Sequence, residues 1–339
     1  GDASSGPNVA AGAEPGATAA PAAEVPDGAT SAEGPVAAAV DDAAPPAEGP
    51  DGDSSAAPVA GAELAAVAYG AFQRGWYDTA RRAAAAASFR EDGPASALTL
   101  LGVIHEEGLG VEQAEAEAAG FYAIAAEKGD PRAMTRLARL LAEGRGVAAD
   151  PARAAAFLEA AAEKGHPEAA YGAAILALGS DGREPDVPRA AALLERAATG
   201  GHVEAQLALA TLYERGEGVT PSEERATHWM GEAARAGNVA AMVEYAVRLF
   251  NGRGVEPDEA AAARFLELAA LAGNPVAMNR LARLLAYGRG VEPDPAEAIK
   301  WHLVARKRGV SDLWLDGFAG TSPEDVFREG ERRAAAFLK

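Results

Sequence analysis

Polar and apolar residues alternate with helical spacing through most of this chain. Ala133, Leu137, Ala138 and Leu141 stand at i, i+4, i+5 and i+8, one face of an α-helix. That stretch runs from Asp130 to Glu143 and stops at Gly144-Arg145-Gly146-Val147, where paired glycines supply the positive φ of a helix end. A second stretch starts at Asp150, whose carboxylate suits the free N–H groups of a helix start, with Pro151 at the first helical position. Its inner face is Ala154, Phe157, Ala161 and Ala162, and Gly165 closes the unit. The pattern predicts two antiparallel helices joined by a glycine turn.

The same unit returns every 36 residues. Glycine recurs at 93, 129, 165, 201, 237, 273 and 309, and a second glycine at 110, 146, 182, 218, 254 and 290. Alanine recurs at 97, 133, 169, 205, 241 and 277, and a bulky position as Phe121, Phe157, Leu193, Trp229, Phe265 and Trp301. Asp150, Asp186, Ser222, Asp258 and Asp294 mark successive second-helix starts. Six copies in register make residues 93–309 an all-α solenoid of helix pairs. Residues 61–92 read as a degenerate leading pair and 310–339 as capping helices that cover the open end of the stack. Two copies depart from the rule. Gly179-Ser180-Asp181-Gly182-Arg183 replaces Gly-x-Gly-Val, which predicts a different turn, and Ala114 stands where other copies place Asp or Ser.

Composition separates off the N-terminus. Residues 1–60 hold ten acidic and no basic or aromatic residues, with nine prolines and eight glycines among alanines. Such a segment buries too little apolar surface to offset the entropy of ordering, and the reading is a disordered acidic tail or spacer. It carries −10 of the formal charge of −19, which leaves −9 for the rest. The sequence begins at Gly1 rather than Met, and an upstream signal peptide, anchor or artificial boundary is expected. An acidic chain argues against nucleic acid as a partner, because phosphate binding needs clustered positive charge. No stretch approaches the about 18 apolar residues of a membrane span. Zero cysteines exclude disulfides and thiolate metal sites.

Little in the sequence suggests catalysis. His166 and His202 occupy the first-helix starting position filled elsewhere by Asp130, Asn238 and Asn274, so capping is the expected role. His228 and His302 lie beside Trp229 and Trp301 on second helices, and His105 stands apart. No ligand-spaced histidine pair is present, and Gly-x-Gly-Val lacks both the preceding strand and the Gly-Lys-Ser/Thr element of a nucleotide loop. The expectation is no enzyme, no cofactor and no metal.

The motif Ala-x₃-Leu-Ala/Gly-x₂-Leu/Tyr-x₂-Gly-x-Gly-Val, then Asp, then Ala-x₂-Trp/Phe-x₃-Ala-Ala-x₂-Gly resembles the Sel-one-like repeat (SLR) family. It is clearest in Ala277, Leu281, Ala282, Leu285, Gly288 to Val291, Asp294, Trp301, Ala305 and Gly309. The resemblance implies a right-handed, tetratricopeptide-like solenoid that acts as a non-catalytic adaptor, binding a protein or peptide on its concave face. It also implies a bacterial envelope or signalling setting, periplasmic or secreted, with the cytoplasm left open. The cysteine-stapled branch of that family and its penicillin ligand do not carry over to a chain without cysteine. Tetratricopeptide geometry would place Thr99 and Val103, Thr135 and Arg139, Tyr171 and Ile175, Leu207 and Thr211, Val243 and Val247, and Asn279 and Arg283 on the groove. An apolar trough flanked by arginines suits an amphipathic or acidic segment. The alternative is an exported regulator of cell-wall or polysaccharide metabolism that binds glycan or assists a hydrolase; Tyr171 is the only aromatic in this row.

Overall fold

Five of the six second helices in the repeats start at a side chain that can accept from free backbone N–H groups. Asp150, Asp186, Ser222, Asp258 and Asp294 each take a hydrogen bond from the N–H three residues on, at 2.8–3.2 Å. The computed structural model describes residues 60–179 and 184–339. The expectations for residues 1–59 and for the Ser180–Arg183 turn lie outside the described residues.

Sixteen α-helices and no strand occur among the described residues. The leading pair is α1 (Gly61–Gln73) and α2 (Tyr77–Ser88). Six pairs follow: α3 (Ala95–Glu107) with α4 (Glu115–Glu127), α5 (Pro131–Glu143) with α6 (Pro151–Glu163), and α7 (Pro167–Ala177) with α8 (Val187–Thr199). Next come α9 (Val203–Arg215) with α10 (Glu223–Arg235), α11 (Val239–Asn251) with α12 (Glu259–Leu271), and α13 (Pro275–Tyr287) with α14 (Pro295–Lys307). Each second helix packs on its own first helix and on the first helix of the next pair, which makes the solenoid. Beyond the last pair, α15 (Leu313–Thr321) touches α14 lightly, while α16 (Glu324–Phe337) lies along α14 with Phe337 edge-on to Trp301, centroids 5.0 Å apart.

Local rules and packing share the work of setting these boundaries. Ala114 offers no side-chain cap, yet its φ and ψ of −143° and 83° match those of Asp150, and α4 starts in register. Packing therefore sets the start of that helix without help from a cap. Gly146 meets two demands: its φ is +67°, and an added Cβ would collide with the Glu115 backbone of the preceding pair. Three turns also carry an arginine that reaches back 30 residues to the first turn of the preceding second helix: Arg145 to Glu115, Arg253 to Glu223 and Arg289 to Glu259. In the third pair α7 is 11 residues long, against 13 for the other first helices of the six pairs, and ends at Leu178 with φ −77° in place of a left-handed glycine.

The core is built from alanine. The six alanines at 97, 133, 169, 205, 241 and 277 are all 0% exposed, so neighbouring helices meet across single methyl groups. The bulky row differs from expectation. Of Phe121, Phe157, Leu193, Trp229, Phe265 and Trp301, only Trp301 is buried, and the others are half-buried at the edge of the seam. The interior is filled from the next residue round the helix, by Tyr122, Leu194, Met230, Leu266 and His302. Tyr122 fits because Gly102 stands where other copies have alanine, and a Cβ there would strike the ring.

Candidate binding face

The fifth residue of several first helices reaches the residue that starts the next first helix. Thr99 donates to the Asp130 carboxylate at 2.9 Å, and Asn279 donates to Asp312 at 3.0 Å. The Thr135 hydroxyl lies 3.1 Å from His166 Nδ1, and the Tyr171 ring stacks on His202 with centroids 4.3 Å apart. This ladder accounts for both starter histidines. His202 also caps its own helix, accepting from Ala205 N–H, whereas the His166 side chain caps nothing and faces Thr135. Burial holds the His166 ring below its ordinary pKa.

The expected groove row therefore divides. Thr99, Thr135 and Val243 are buried, while Val103, Tyr171, Ile175, Leu207, Thr211, Val247 and Asn279 are half-buried. Arg139 and Arg283 are the exposed members, and both are paired within the chain. Arg139 and Arg136 bind Glu106, which also accepts from the Tyr122 hydroxyl at 2.7 Å. Burial alone would raise the Glu106 carboxyl, but the Tyr122 hydroxyl and the two guanidiniums outweigh it and hold it below its ordinary value. Tyr122 is in turn pushed far up by burial and by Glu106. Arg283 grips Asp312 with two bonds of 2.7 and 2.8 Å and holds that carboxyl well below the usual range.

Two clefts open between successive first helices at the same place in the repeat. One, of about 240 Å³, includes Thr135, Ala138, Arg139, Leu158, Tyr171 and Gly172, between α5 and α7. The other, of about 310 Å³, lies between α11 and α13 and includes Ala246, Val247, Phe250, Leu266, Arg280 and Arg283. Ala138, Arg139, Leu158 and Gly172 correspond to Ala246, Val247, Leu266 and Arg280, 108 residues or three repeats further on. The larger cleft also takes in Tyr287 and Arg289. Beside it, Tyr287 stacks on Trp314 at 4.5 Å, and Trp314 on Phe318 at 5.6 Å.

No group of three or more metal-ligating side chains converges among the described residues. His302 is buried, with Nε2 2.9 Å from the Asp316 carboxylate, which ties α15 to α14. No helix among the described residues is long and apolar enough to cross a membrane.

The Sel1 repeat family model matches six consecutive segments: residues 95–130, 131–166, 167–202, 203–238, 239–274 and 275–310. This chain belongs to the Sel1 repeat family. A crystal structure of a Sel1 repeat protein from Oxalobacter formigenes is similar at 28% identity and a TM-score of 0.57, covering 71% of this chain and 98% of that one. A protective antigen of uropathogenic Escherichia coli, c5321, described as having an SLR fold, is 23% identical over 82% of this chain and 68% of its own, with a TM-score of 0.46. No curated protein matches the sequence.

Within the Sel1 repeats, the sequence reading missed Phe250, Arg280, Tyr287 and Arg289, and beyond them Trp314. Phe250 was open to detection, because the same slot holds Glu106, Ala142, Leu178, Glu214 and Ala286 in the other copies. Trp314 lies outside the periodic segment, and no repeat spacing places it near Tyr287.

Proposed function

We propose that this Sel1 repeat protein is a non-catalytic scaffold whose first-helix face holds a protein or peptide partner, in a bacterial envelope or signalling setting. Sel1 repeat proteins are generally protein-interaction scaffolds. The observation that carries the reading is the recurrence of the cleft three repeats apart, because a partner laid along successive first helices meets equivalent slots in series. Half-buried Ile175, Leu207 and Thr211 continue the row between the slots, which Tyr171 and Val247 line. A fold of this kind decides no ligand, so the site residues carry the argument.

A glycan-binding role draws support from the exposed rings of Tyr287 and Trp314. The cleft beside them is lined by three arginines, with the Asp312 and Glu259 carboxylates already taken up by Arg283 and Arg289, which favours a peptide over a sugar. The test is quantitative affinity capture from host-cell extract with wild type, Arg139→Glu and Tyr171→Ala. Loss of the same captured protein with either variant supports the scaffold reading, and unchanged recovery with both removes it.

A further inference from the structure

We propose that the cleft between α11 and α13 is an anchor pocket for one bulky apolar side chain of an acidic linear peptide. The inference rests on the scaffold reading and names the occupant of one slot on that face. The apolar floor comes from Val247, Phe250, Leu266 and Leu284, and the cleft volume of about 310 Å³ accommodates a leucine or phenylalanine side chain. Around it stand Arg280, Arg283 and Arg289, with no carboxylate in the wall, although the chain as a whole carries −19.

The guanidiniums are placed to receive acid groups. Arg283 spends Nε and one Nη on Asp312, and Arg289 spends the same atoms on Glu259, so each keeps its other Nη uncommitted among the described contacts. Both side chains are about half exposed, at 45% and 50%. Arg280 is exposed and makes no ion pair among the described residues. Contacts with aromatic faces hold two of these arms in place. The Arg289 guanidinium lies 4.3 Å from the Phe250 centroid, and that of Arg283 lies 5.5 Å from Trp314. A positive rim fixed before binding lowers the ordering cost of capturing carboxylates.

Comparison of equivalent slots shows that Phe250 and Arg280 are local additions to a shared scaffold, whereas the Arg289 position recurs as Arg145 and Arg253. At the α5–α7 cleft, Ala142 and Gly172 stand where Phe250 and Arg280 stand here, and Glu168 joins the wall. The repeat backbone needs neither the aromatic floor nor the extra cation: none of the five other copies has an aromatic at the Phe250 slot, which holds Glu106, Ala142, Leu178, Glu214 and Ala286, and of those five copies only the one with Arg136 puts a cation at the Arg280 slot. Tyr287, 56% exposed, and Trp314, 36% exposed, extend the apolar surface along the stacked rings to Phe318. A peptide entering the pocket with one bulky residue would lay its neighbours across these rings and its carboxylates on the arginine rim.

The test is selection of a phage-displayed random dodecapeptide library on the full chain, followed by anisotropy titration of the most enriched peptide. Glu244 occupies the Arg280 position in the preceding pair, so Arg280→Glu is a substitution that the helix accommodates. Enriched peptides are expected to place a bulky apolar residue beside Asp or Glu, with affinity falling by about tenfold or more in Arg280→Glu. Replacing the peptide acids by amides should weaken binding similarly, and Arg82→Glu, which reverses an exposed charge on α2 away from the first-helix face, should leave it unchanged. Enriched peptides without acids, or equal binding by Arg280→Glu and wild type, would overturn the proposal. Peptides lost in Tyr171→Ala but kept in Arg280→Glu would overturn it while leaving the scaffold reading intact, and enrichment of nothing would remove both.

Discussion

Replacing Arg248 by leucine should stabilise this protein. Arg248 is 4% exposed and takes the place that Ile104, Leu140, Leu212 and Leu284 fill in other repeats, each of them 8% exposed or less. It donates to the Thr227 hydroxyl at 2.9 Å and pairs with Glu214, while its buried Nε has no acceptor. Burial, and next the nearby Arg253, lower its pKa, so the site disfavours the charge it contains. Leucine would gain about 1.5–3 kcal/mol of apolar burial. It would also remove a buried donor without a partner, a cost of about 1–3 kcal/mol. The groups left behind keep partners: Thr227 still donates to the Arg253 carbonyl at 2.8 Å, and Glu214 still has Arg253 at 3.7 Å. Lost Coulomb attraction offsets part of this gain, but Glu214 is 28% exposed and keeps Arg253, so no fully buried charge is stranded and a net gain of about 1 kcal/mol is expected. Urea denaturation followed by far-UV circular dichroism reads the change as a higher midpoint. Glu214→Ala supplies the opposite sign, because it strands a buried guanidinium and should cost about 3–5 kcal/mol. Destabilisation by Arg248→Leu of more than about 1 kcal/mol would refute the reasoning and show that this arginine holds the fourth and fifth pairs together.

Acid should weaken the stack through two carboxylates. Glu106 is held below its ordinary 4.5 by the Tyr122 hydroxyl and two arginines despite burial, and Asp312 below 3.8 chiefly by Arg283. Each group therefore binds fewer protons in the folded than in the unfolded chain over that interval. Its contribution is complete above the ordinary value and is lost as pH falls through the lower folded value. A urea midpoint that is flat near neutral pH and drops below about pH 4 is expected, with a shallower drop in Glu106→Gln and Asp312→Asn; an identical acid profile in both variants would contradict this. Glu106→Gln should also cost about 1–3 kcal/mol at neutral pH, by leaving buried partners less well satisfied. Ala205 is 0% exposed, so Ala205→Leu should overpack the helix contact and cost about 1–3 kcal/mol, and an unchanged melting temperature would remove it from the core.

Repetition made most of this architecture legible. A 36-residue period repeats the same local instructions, so the helix starts at Asp150 and Asp294 and the glycine turn at Gly144 to Gly146 could be read from residue type and spacing. Alanine every 36 residues marked the close helix contacts, because only a small side chain lets two backbones approach. Tertiary structure decided what the period averages away. Half of the expected groove turned inward or became paired once the helices stacked, since the residue opposite Thr135 or Arg139 belongs to another repeat and differs from copy to copy. The buried row lies one residue round from the most regular bulky position, at Tyr122, Leu194, Met230 and Leu266, and only the packing of the helices against one another selects it. The meeting of Tyr287 with Trp314 joins a repeat to the aperiodic segment beyond it. Periodicity carries no information about that contact, and packing alone places the two rings together.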